Sequence, residues 1–600
     1  MAKRIDDYAL IGDRRSAALI ARDGGIEFLC LPRFDSAACM AAMLGSDENG
    51  IWRIRPQADD LEIARCYRKD TLILETTFTS ASGKVMIVDF MPIGQAEPAV
   101  VRMVRGLAGS VRMRMDLIVR YDFGRLVPWV ARDEDDALAI VAGPNLLLLR
   151  TPIAHRGEGL ATVAEFEIRE GECVPFSLTY GRSFDAHPKA FDVAAEEAET
   201  ERYWRDWSGR CTYAGPWRDQ VLRSLITLKA LTYRPTGGVV AAATASLPEL
   251  PGGTRNWDYR FCWLRDSTFT LLAFLTAGYA EEAEAWRAWV VRAVAGSAAQ
   301  VQPLYNVLGE NRVDELEVDW LEGFNGAKPV RIGNLAFAQP QFDAFGEILD
   351  VLHHARLSNL GATDASWGLQ CALLEHLESV IDQPDHGIWE TRGPPRHFTH
   401  SKVMMWVAFD RALHGVEQFG LKGPAQHWRS LRDRLHAEIC AKAFDPELGA
   451  FVRAYEERAL DAATLLIPLV GFLPAEDPRV LGTVKAIQER LMVGHLVRRY
   501  DTETVEDGMP PGEGLFLACS FWLADNLILQ GRLDEGRALF ERLLGTTNDV
   551  GLLAEEFDPV TGTQLGNFPQ ALSHLALVST AYNLAGTNGP CHRRSQSRGR

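Results

Sequence analysis

Two glutamates in separate loops have the surroundings that hydrolysis of a glycosidic bond requires. Glu390 lies in the segment 387–396 and Glu555 in the segment 554–569, and both segments are rich in aromatic and turn-forming residues. A glycosidase needs one carboxyl group that holds a proton at the working pH and another that stays ionised. The indole of Trp389 is an apolar neighbour that favours the protonated form of Glu390. Taken singly, each glutamate would more often be a solvated surface residue, so the prediction depends on the loops around it.

The stretch 255–266, RNWDYRFCWLRD, combines arginine and aspartate with flat aromatic side chains. Tryptophan and tyrosine faces can cover the C–H side of a sugar ring, while Arg265 and Asp266 can form charge-assisted hydrogen bonds to its hydroxyls. A buried Arg–Asp pair with tryptophan packing at a helix start explains the same residues equally well. The loop 320–334 has a similar composition and could equally be an ordinary connection between helices.

Bulk composition excludes several classes of function. The chain of 600 residues has a formal net charge of -17, whereas nucleic-acid or anionic-membrane binding needs a clustered basic surface. The start has no apolar core of signal-peptide length, and no run is apolar enough to span a bilayer. We therefore expect a cytoplasmic protein with a neutral small-molecule substrate and no nucleic-acid or membrane partner; the sequence is compatible with a homo-oligomer.

Motifs for metals and nucleotide cofactors are missing from the sequence. The ten cysteines are scattered and build no zinc-ligand spacing. His397 and His400 are three residues apart, but no acidic or cysteine third ligand is near them in sequence. Neither a Walker-type loop nor a strand-linked Gly-x-Gly-x-x-Gly is present. We expect no metal and no cofactor.

The order of periodicities predicts two domains. Short alternating strands fill 8–180, which favours an antiparallel β-sandwich domain over 1–190. A helical linker is predicted over 191–240, and helix-period segments separated by Gly, Pro and aromatic loops continue to 585. Helices in hairpin pairs suggest a toroid of alternating inner and outer helices with the polar-aromatic loops at one end. The tail 586–600 lacks apolar periodicity, so disorder is expected there.

Together these motifs resemble glycoside hydrolase family 15, the glucoamylase and bacterial trehalase family, over nearly the whole chain. The stretch beginning IDDYALIGDRRSAALIARDGG resembles the trehalase-like β-domain that precedes such catalytic domains. The resemblance implies a β-sandwich followed by a catalytic domain over residues 241–585 that is an (α/α)6 barrel. This fold agrees with the order of strands and helix pairs in the sequence.

The resemblance also implies roles for particular residues. Glu390 matches the general acid and Glu555 the general base, while Arg331 and Arg499 match arginines on the aglycone side. Glu513 is a further candidate near the pocket. The substrate-binding set implied in this way is Tyr259, Trp263, Arg265 and Asp266 for the non-reducing glucose, with Arg331, Trp389, Arg499, Glu513 and Glu556.

Two positions depart from the fungal glucoamylase pattern. That pattern has Glu after the acid and Gln after the base, whereas this chain has Thr391 and Glu556. The second carboxylate leaves open whether Glu555 or Glu556 is the base. No starch-binding domain or Ser/Thr-rich linker is evident, which argues against attack on granular starch.

The expected function is inverting, exo-acting hydrolysis of a small α-glucoside with release of β-D-glucose, trehalose being favoured. Maltodextrins or isomalto-oligosaccharides, as for a glucoamylase, are the alternative substrates. A non-catalytic carbohydrate-binding protein on the same scaffold is an alternative of another class. A lyase on a helical barrel is a further alternative, although such sites usually rely on Tyr and His rather than paired glutamates.

Overall fold

A computed structural model describes residues 3–133, 135–360, 364–586 and 589–595. Within this part of the chain, strands dominate up to residue 182 and helices dominate after residue 193. The predicted order of a β region followed by an α region is confirmed. No helix in the described ranges is both long enough and apolar enough to cross a bilayer.

The N-terminal region is one 15-stranded antiparallel sheet built on a long strand, β9 (Ala99–Ile118). The first half of β9 pairs with β8 and β15, and its second half pairs with β5 and β14. Alternating apolar residues of β9, such as Val111, Met113 and Met115, are buried in the hydrophobic core. The sheet strands are β1 (Tyr8–Gly12), β2 (Ala17–Ala21), β3 (Gly25–Cys30), β4 (Ala38–Met40), β5 (Ile51–Pro56), β6 (Glu62–Tyr67), β7 (Leu74–Ser80), β8 (Gly83–Phe90), β9, β10 (Trp129–Arg132), β11 (Leu138–Ala142), β12 (Asn145–Arg150), β13 (Arg156–Glu158), β14 (Ala161–Arg169) and β15 (Cys173–Arg182).

Helices make up most of the C-terminal region. One single-turn helix, α1 (Tyr121–Gly124), lies in the β region. The later helices are α2 (Val193–Ser208), α3 (Arg218–Ala230), α4 (Ser267–Thr276), α5 (Ala280–Ala293), α6 (Asp343–Leu357), α7 (Asp364–Val380), α8 (Thr399–Phe419), α9 (Ala425–Lys442), α10 (Leu466–Leu469), α11 (Pro478–Arg490), α12 (Leu517–Leu529), α13 (Leu533–Leu544), α14 (Ala571–Ala585) and α15 (Pro590–Ser595). The periodicity of the sequence predicts helices over 266–278, 280–296, 336–357, 364–382, 399–418, 424–442, 460–472, 478–493, 514–531, 533–545 and 569–584, and these agree with the helices to within a few residues at most ends.

Six of these helices contact one another in a closed order: α4, α6, α8, α10, α12 and α14, with α14 returning to α4. Helices α6, α8 and α12 are buried along most of their length, as expected for elements enclosed by other helices. Helix α3 packs against α14. Part of the predicted linker 191–240 therefore packs as a member of the helical region.

Short strands and loops connect the helices and carry the polar-aromatic residues. The short strands are β16 (Ala245–Pro248), β17 (Asn256–Asp258), β18 (Cys262–Trp263), β19 (Leu304–Tyr305), β20 (Leu316–Val318), β21 (Val330–Ile332), β22 (Phe444–Asp445), β23 (Ala450–Phe451), β24 (Met492–Val493), β25 (Leu496–Val497), β26 (Leu515–Phe516), β27 (Glu556–Asp558) and β28 (Thr563–Leu565). Strands β24 to β28 form one small antiparallel sheet, which fixes the backbone beside Glu555.

The prediction of a disordered tail is wrong for Pro590–Ser595, which form helix α15. Arg594 on this helix is buried, and its guanidinium lies 2.8 Å from Asp350 and 3.5 Å from Glu347, with the Phe269 ring 4.7 Å away. A local sequence rich in Arg and Ser gives no sign of this arrangement, because the stabilising carboxylates belong to helix α6.

We predict that Arg594→Met lowers the free energy of unfolding by about 3 kcal/mol, because it removes the guanidinium beside Glu347 and one of the two beside Asp350, where Arg411 remains at 2.7 Å. Thermal or denaturant unfolding of the full chain measures the loss. Arg312→Ala is the control, since the Arg312 side chain is 83% exposed and its ion pair is worth little. Equal stability of the two variants would contradict the prediction.

Candidate active site

Glu390 lies in the loop between α7 and α8, on a backbone that few residues other than glycine adopt. Its φ is 55°, and its N–H donates to the carbonyl of Gly387 at 3.1 Å. Such a left-handed conformation costs free energy and persists only where the surroundings impose it. The loop thereby turns the Glu390 side chain towards the stretch 255–266.

Two residues of that stretch contact the Glu390 carboxylate. The Trp263 indole N–H donates to Glu390 Oε1 at 2.5 Å, and the Arg265 guanidinium lies 3.5 Å from the same oxygen. Arg265 also donates to the carbonyl of Ile388 and lies 3.4 Å from Asp266. These contacts fix the orientation of Glu390 from a segment more than a hundred residues away in sequence.

Glu555 immediately precedes β27, and a second set of residues surrounds its carboxylate. The hydroxyl of Tyr259 donates to Glu555 Oε1 at 2.8 Å, while Oε2 is buried without a hydrogen-bond partner among the described residues. Gly566 has a φ of 75°, and a Cβ placed there would come within 3.0 Å of Glu555 Oε2. Glycine is therefore required at 566 to leave room for this carboxylate.

Burial first, and then the negative charge of Glu249, raise the pKa of Glu555 to about 8. The Tyr259 hydrogen bond and the guanidinium groups of Arg499 and Arg265 act in the opposite direction. The carboxylate is therefore a strong base once it is ionised. Burial and the charge of Glu555 likewise hold the pKa of Tyr259 well above its usual value.

Glu556, the next residue, points away from Glu555. Consecutive side chains of a strand lie on opposite faces, and Glu556 Oε2 accepts the N–H of Gly514 at 2.8 Å. On that side Glu556 meets Glu249 and Glu513, so that each of the three glutamates has a carboxylate oxygen within 4.8 Å of the others. Burial, followed by the charges of Glu249 and Glu513, raises the pKa of Glu556 well above its ordinary value.

Two adjoining cavities share Glu390 in their lining. We call the cavity that contains Glu555 the inner cavity and the one that contains Glu249 the outer cavity. Both are lined by Tyr259, Trp389, Glu390 and Arg499. The inner cavity adds Arg265, Ile388, Phe516, Ala518, Glu555, Gln570, Leu572 and Ser573. The outer cavity adds Glu249, Arg255, Trp257, Asn334, Thr391, Arg392, Tyr500, Asp507 and Met509.

The residues of the stretch 255–266 have two kinds of surroundings. Asp258 and Arg260 form a buried ion pair at 2.6 Å, and Arg260 also donates to the carbonyl of Ser36 in the N-terminal region. Tyr259 and Arg265 line the cavities instead. Asp266 is buried next to Arg265 at the start of α4, and burial raises its pKa.

The arginines predicted on the aglycone side lie in different surroundings. Arg499 lines both cavities and forms a bidentate pair with Glu513, which explains the position of Glu513. Arg331 does not line either cavity among the described residues; it contacts the Trp257 ring at 4.7 Å and lies 3.3 Å from Glu317. Arg392 contacts the same ring and does line the outer cavity.

A hydrogen bond and ring packing fix the side chain of Trp389. Its indole N–H donates to Asp461 at 2.8 Å, and its ring packs against Phe516 and Trp522. The two histidines considered as metal ligands lie apart from the cavities: the His397 ring stacks on Tyr455, and His400 is buried in α8.

Sequence reasoning missed Glu249, which lines the outer cavity and is only 1% exposed. Its Oε1 accepts the Trp257 indole N–H at 2.8 Å, and its Oε2 lies 3.4 Å from Arg499. The signal was a single Glu before the Pro-Gly-Gly turn that joins β16 to β17, too small to detect in isolation. Among the described residues, Glu249, Glu513 and Glu556 are also the only group whose geometry could hold a cation.

Comparison with known proteins agrees with this geometry. The family model of glycosyl hydrolases family 15 matches residues 215–582, and the trehalase-like N-terminal model matches residues 1–204. The chain belongs to glycosyl hydrolase family 15. As a member of this family it is a glycoside hydrolase.

Relatives within the family match almost the full length. The chain is 37% identical to a trehalase of Mycobacterium tuberculosis, covering 97% of this chain and 89% of that protein. It is 35% identical to a trehalase of Thermoplasma acidophilum, over 94% and 98% of the two chains. A bacterial glucoamylase solved in complex with acarbose has a TM-score of 0.75 at 13% identity, over 97% and 94%, which shows a shared fold.

We predict that Tyr259→Phe reduces kcat/KM for glucoside hydrolysis about 10- to 100-fold, because it removes a hydrogen bond to a charged group. The same change should move the titration of Glu555 to higher pH, since this hydrogen bond lowers the pKa of Glu555. A pH–rate profile measures both effects. Tyr305→Phe, at a buried tyrosine outside the cavities, is the matched control, and identical profiles for the two variants would refute the role of Tyr259.

Proposed function

We propose that the protein hydrolyses trehalose with inversion, using Glu390 as general acid and Glu555 as general base. One observation carries the assignment: Glu390 lines both cavities, whereas Glu555 lines only the inner one. The acid must reach the oxygen between two sugar units, and the base must reach a water on the far side of the sugar that is released. A disaccharide with one ring in each cavity meets both requirements.

The inner cavity would hold the glucose that is released. The Arg265 guanidinium offers directional donors there, and the Tyr259 hydroxyl, whose proton is donated to Glu555, can accept a hydrogen bond. Trp263 and Asp266 orient Glu390 and Arg265. As the bond breaks, positive charge develops at the anomeric carbon, and the ionised Glu555 stabilises it.

Glu390 would donate its proton to the leaving oxygen while Glu555 removes a proton from the attacking water. Attack from the opposite face inverts the anomeric centre, so an α-glucoside gives β-D-glucose. We expect the two carboxyl groups to lie about 6.5–9.5 Å apart, the spacing that leaves room for the water.

The outer cavity supports a compact, fully hydroxylated second unit. Its lining includes Arg255, Arg392 and Asp507, which suit the vicinal hydroxyls of a second glucose. The relatives named trehalase over nearly the full length support trehalose in particular. Maltodextrin or isomalto-oligosaccharide hydrolysis is the second candidate, favoured by the shared fold with a glucoamylase.

The wider architecture is part of the same proposal. We infer that the closed order of α4, α6, α8, α10, α12 and α14, with the remaining helices outside it, is an (α/α)6 barrel. The net charge of -17 supports an enzyme without a nucleic-acid partner, and a cytoplasmic location stays a prediction. Assembly into a homo-oligomer stays a prediction.

We predict that Glu390→Gln lowers kcat for trehalose about 10²–10⁴-fold, because it removes the proton donor. The matched control is Glu506→Gln, since the Glu506 side chain is 81% exposed and should be dispensable. NMR during hydrolysis of trehalose should show α- and β-glucose appearing in equal amounts, because the attacked unit is inverted and the leaving unit keeps its α configuration; α-glucose alone would indicate retention.

A panel of trehalose, maltose, maltotriose, isomaltose and soluble starch separates the candidate substrates. Trehalose should have the highest kcat/KM. A clear preference for maltotriose would favour the second candidate, and no glucose from any of the five would eliminate the enzyme proposal for α-glucosides.

A further inference from the structure

A group of carboxylates behind Glu555 has no part in the mechanism above. Glu249, Glu513 and Glu556 converge to within 4.8 Å from three segments: the β16–β17 turn, the loop before β26, and β27. The N–H of Gly514 donates both to the carbonyl of Glu249, at 2.9 Å, and to Glu556 Oε2, at 2.8 Å. This shared donor joins Glu249 to the strand that begins beside Glu555.

The cations of this cluster are too few for its carboxylates. Arg499 contacts Glu513 at 2.6 Å and Glu249 at 3.4 Å, and Arg255 lies 3.6 Å from Glu513. Arg255, however, also pairs with Asp507 at 2.8 Å. Like charges held this close in a buried site cannot all be ionised without a large cost. Full ionisation would leave the carboxylates in excess, and one bound proton reduces that excess.

One oxygen of the cluster is free for that proton. Glu556 is completely buried, and its Oε1 has no hydrogen-bond partner among the described residues. An ionised oxygen in such a position would be neither solvated nor paired, whereas a protonated one carries no net charge. The two oxygens of Glu249, by contrast, contact the Trp257 indole N–H and Arg499.

We propose that Glu249 is a positioning residue of the reaction: with Glu513 and Glu556 it forms a buried carboxylate cluster that shares one proton and controls, through its charge, when Glu555 can act as base. The proposal rests on the function proposed above. The titratable and charged groups facing Glu555 are Tyr259, Glu249, Arg265, Glu390 and Arg499, with Glu556 next in the chain. Of the negative charges among them, Glu249 is the one that most raises the pKa of Glu555.

The charge of the cluster determines the direction in which the pH profile of kcat/KM moves. While the cluster carries negative charge, Glu555 keeps its proton up to higher pH, and the ascending limb of kcat/KM lies at higher pH. Removing the charge of Glu249 should move that limb down. The direction is opposite to the one expected for Tyr259→Phe, which removes a hydrogen bond that lowers the pKa of Glu555.

The test is the pH profile of kcat/KM for Glu249→Gln and Glu556→Gln in the full chain. We expect the ascending limb to move down by about one pH unit in Glu249→Gln, a gain of about tenfold in kcat/KM on its acidic side. In Glu556→Gln, which replaces a protonated carboxyl group with a neutral amide, the limb should stay in place. Glu347→Gln is the matched control, since Glu347 is also buried with a raised pKa but lies next to Arg594, outside both cavities. It should leave the limb where it is.

If Glu249→Gln loses activity by the same factor at every pH and its ascending limb does not move, the proposal is overturned and Glu249 is a structural residue. A limb that moves to higher pH would overturn it as well. Movement of the descending limb instead would mean that Glu555 is the acid, which contradicts the proposed function rather than the cluster.

A measurement without substrate distinguishes failure of the cluster proposal from failure of the proposed function. Carbon NMR of the full chain with labelled glutamate carboxyls follows the titration of Glu555, whose signal is identified by its loss in Glu555→Gln. Its midpoint should fall by about one pH unit in Glu249→Gln and stay unchanged in Glu347→Gln. An unchanged midpoint in Glu249→Gln would reject the cluster even if trehalose is hydrolysed, and a shifted one would support it even if trehalose is not.

Discussion

Desolvation of carboxylates governs the arrangement around the two cavities. Glu249, Glu555 and Glu556 are each at most 6% exposed, and an unpaired buried charge costs several kcal/mol. Each oxygen therefore has a hydrogen-bond donor, a guanidinium nearby, or a raised proton affinity. Arg499 is central to this balance, because it pairs with Glu513, contacts Glu249 and still lines both cavities.

The N-terminal region takes part in this arrangement through the stretch 255–266. Arg260 donates to the carbonyls of Phe34 and Ser36 and pairs with Asp258, whose carboxylate also accepts the N–H of Gly333. This buried pair anchors the backbone on which Tyr259 lies. The β region thus fixes the hydrogen-bond donor of Glu555, although it contributes no residue to either cavity among the described residues.

A continuous set of aromatic contacts supports Glu390 from the other side. Trp389, which precedes it, packs on Trp522, and Trp522 stacks on Phe269 with ring centroids 6.4 Å apart. The guanidinium of Arg594 lies 4.7 Å from the Phe269 ring. The C-terminal helix α15 is therefore linked by packing to the loop that carries Glu390. Close-packed interiors transmit small displacements along such contacts.

The sequence by itself determined the order of strands and helices, because side-chain periods of two and of 3.6 residues are local properties. It also indicated a loop that lines the cavities, since the stretch with Tyr259 and Arg265 is too polar and too aromatic for an ordinary turn. Only the tertiary structure decided which face each residue takes. The sequence does not distinguish the neighbouring residues Glu555 and Glu556. In the structure their side chains point in opposite directions, Glu555 into the inner cavity and Glu556 towards Gly514. Glu249 and Arg594 were hidden for the same physical reason: their partners lie more than two hundred residues away in the chain.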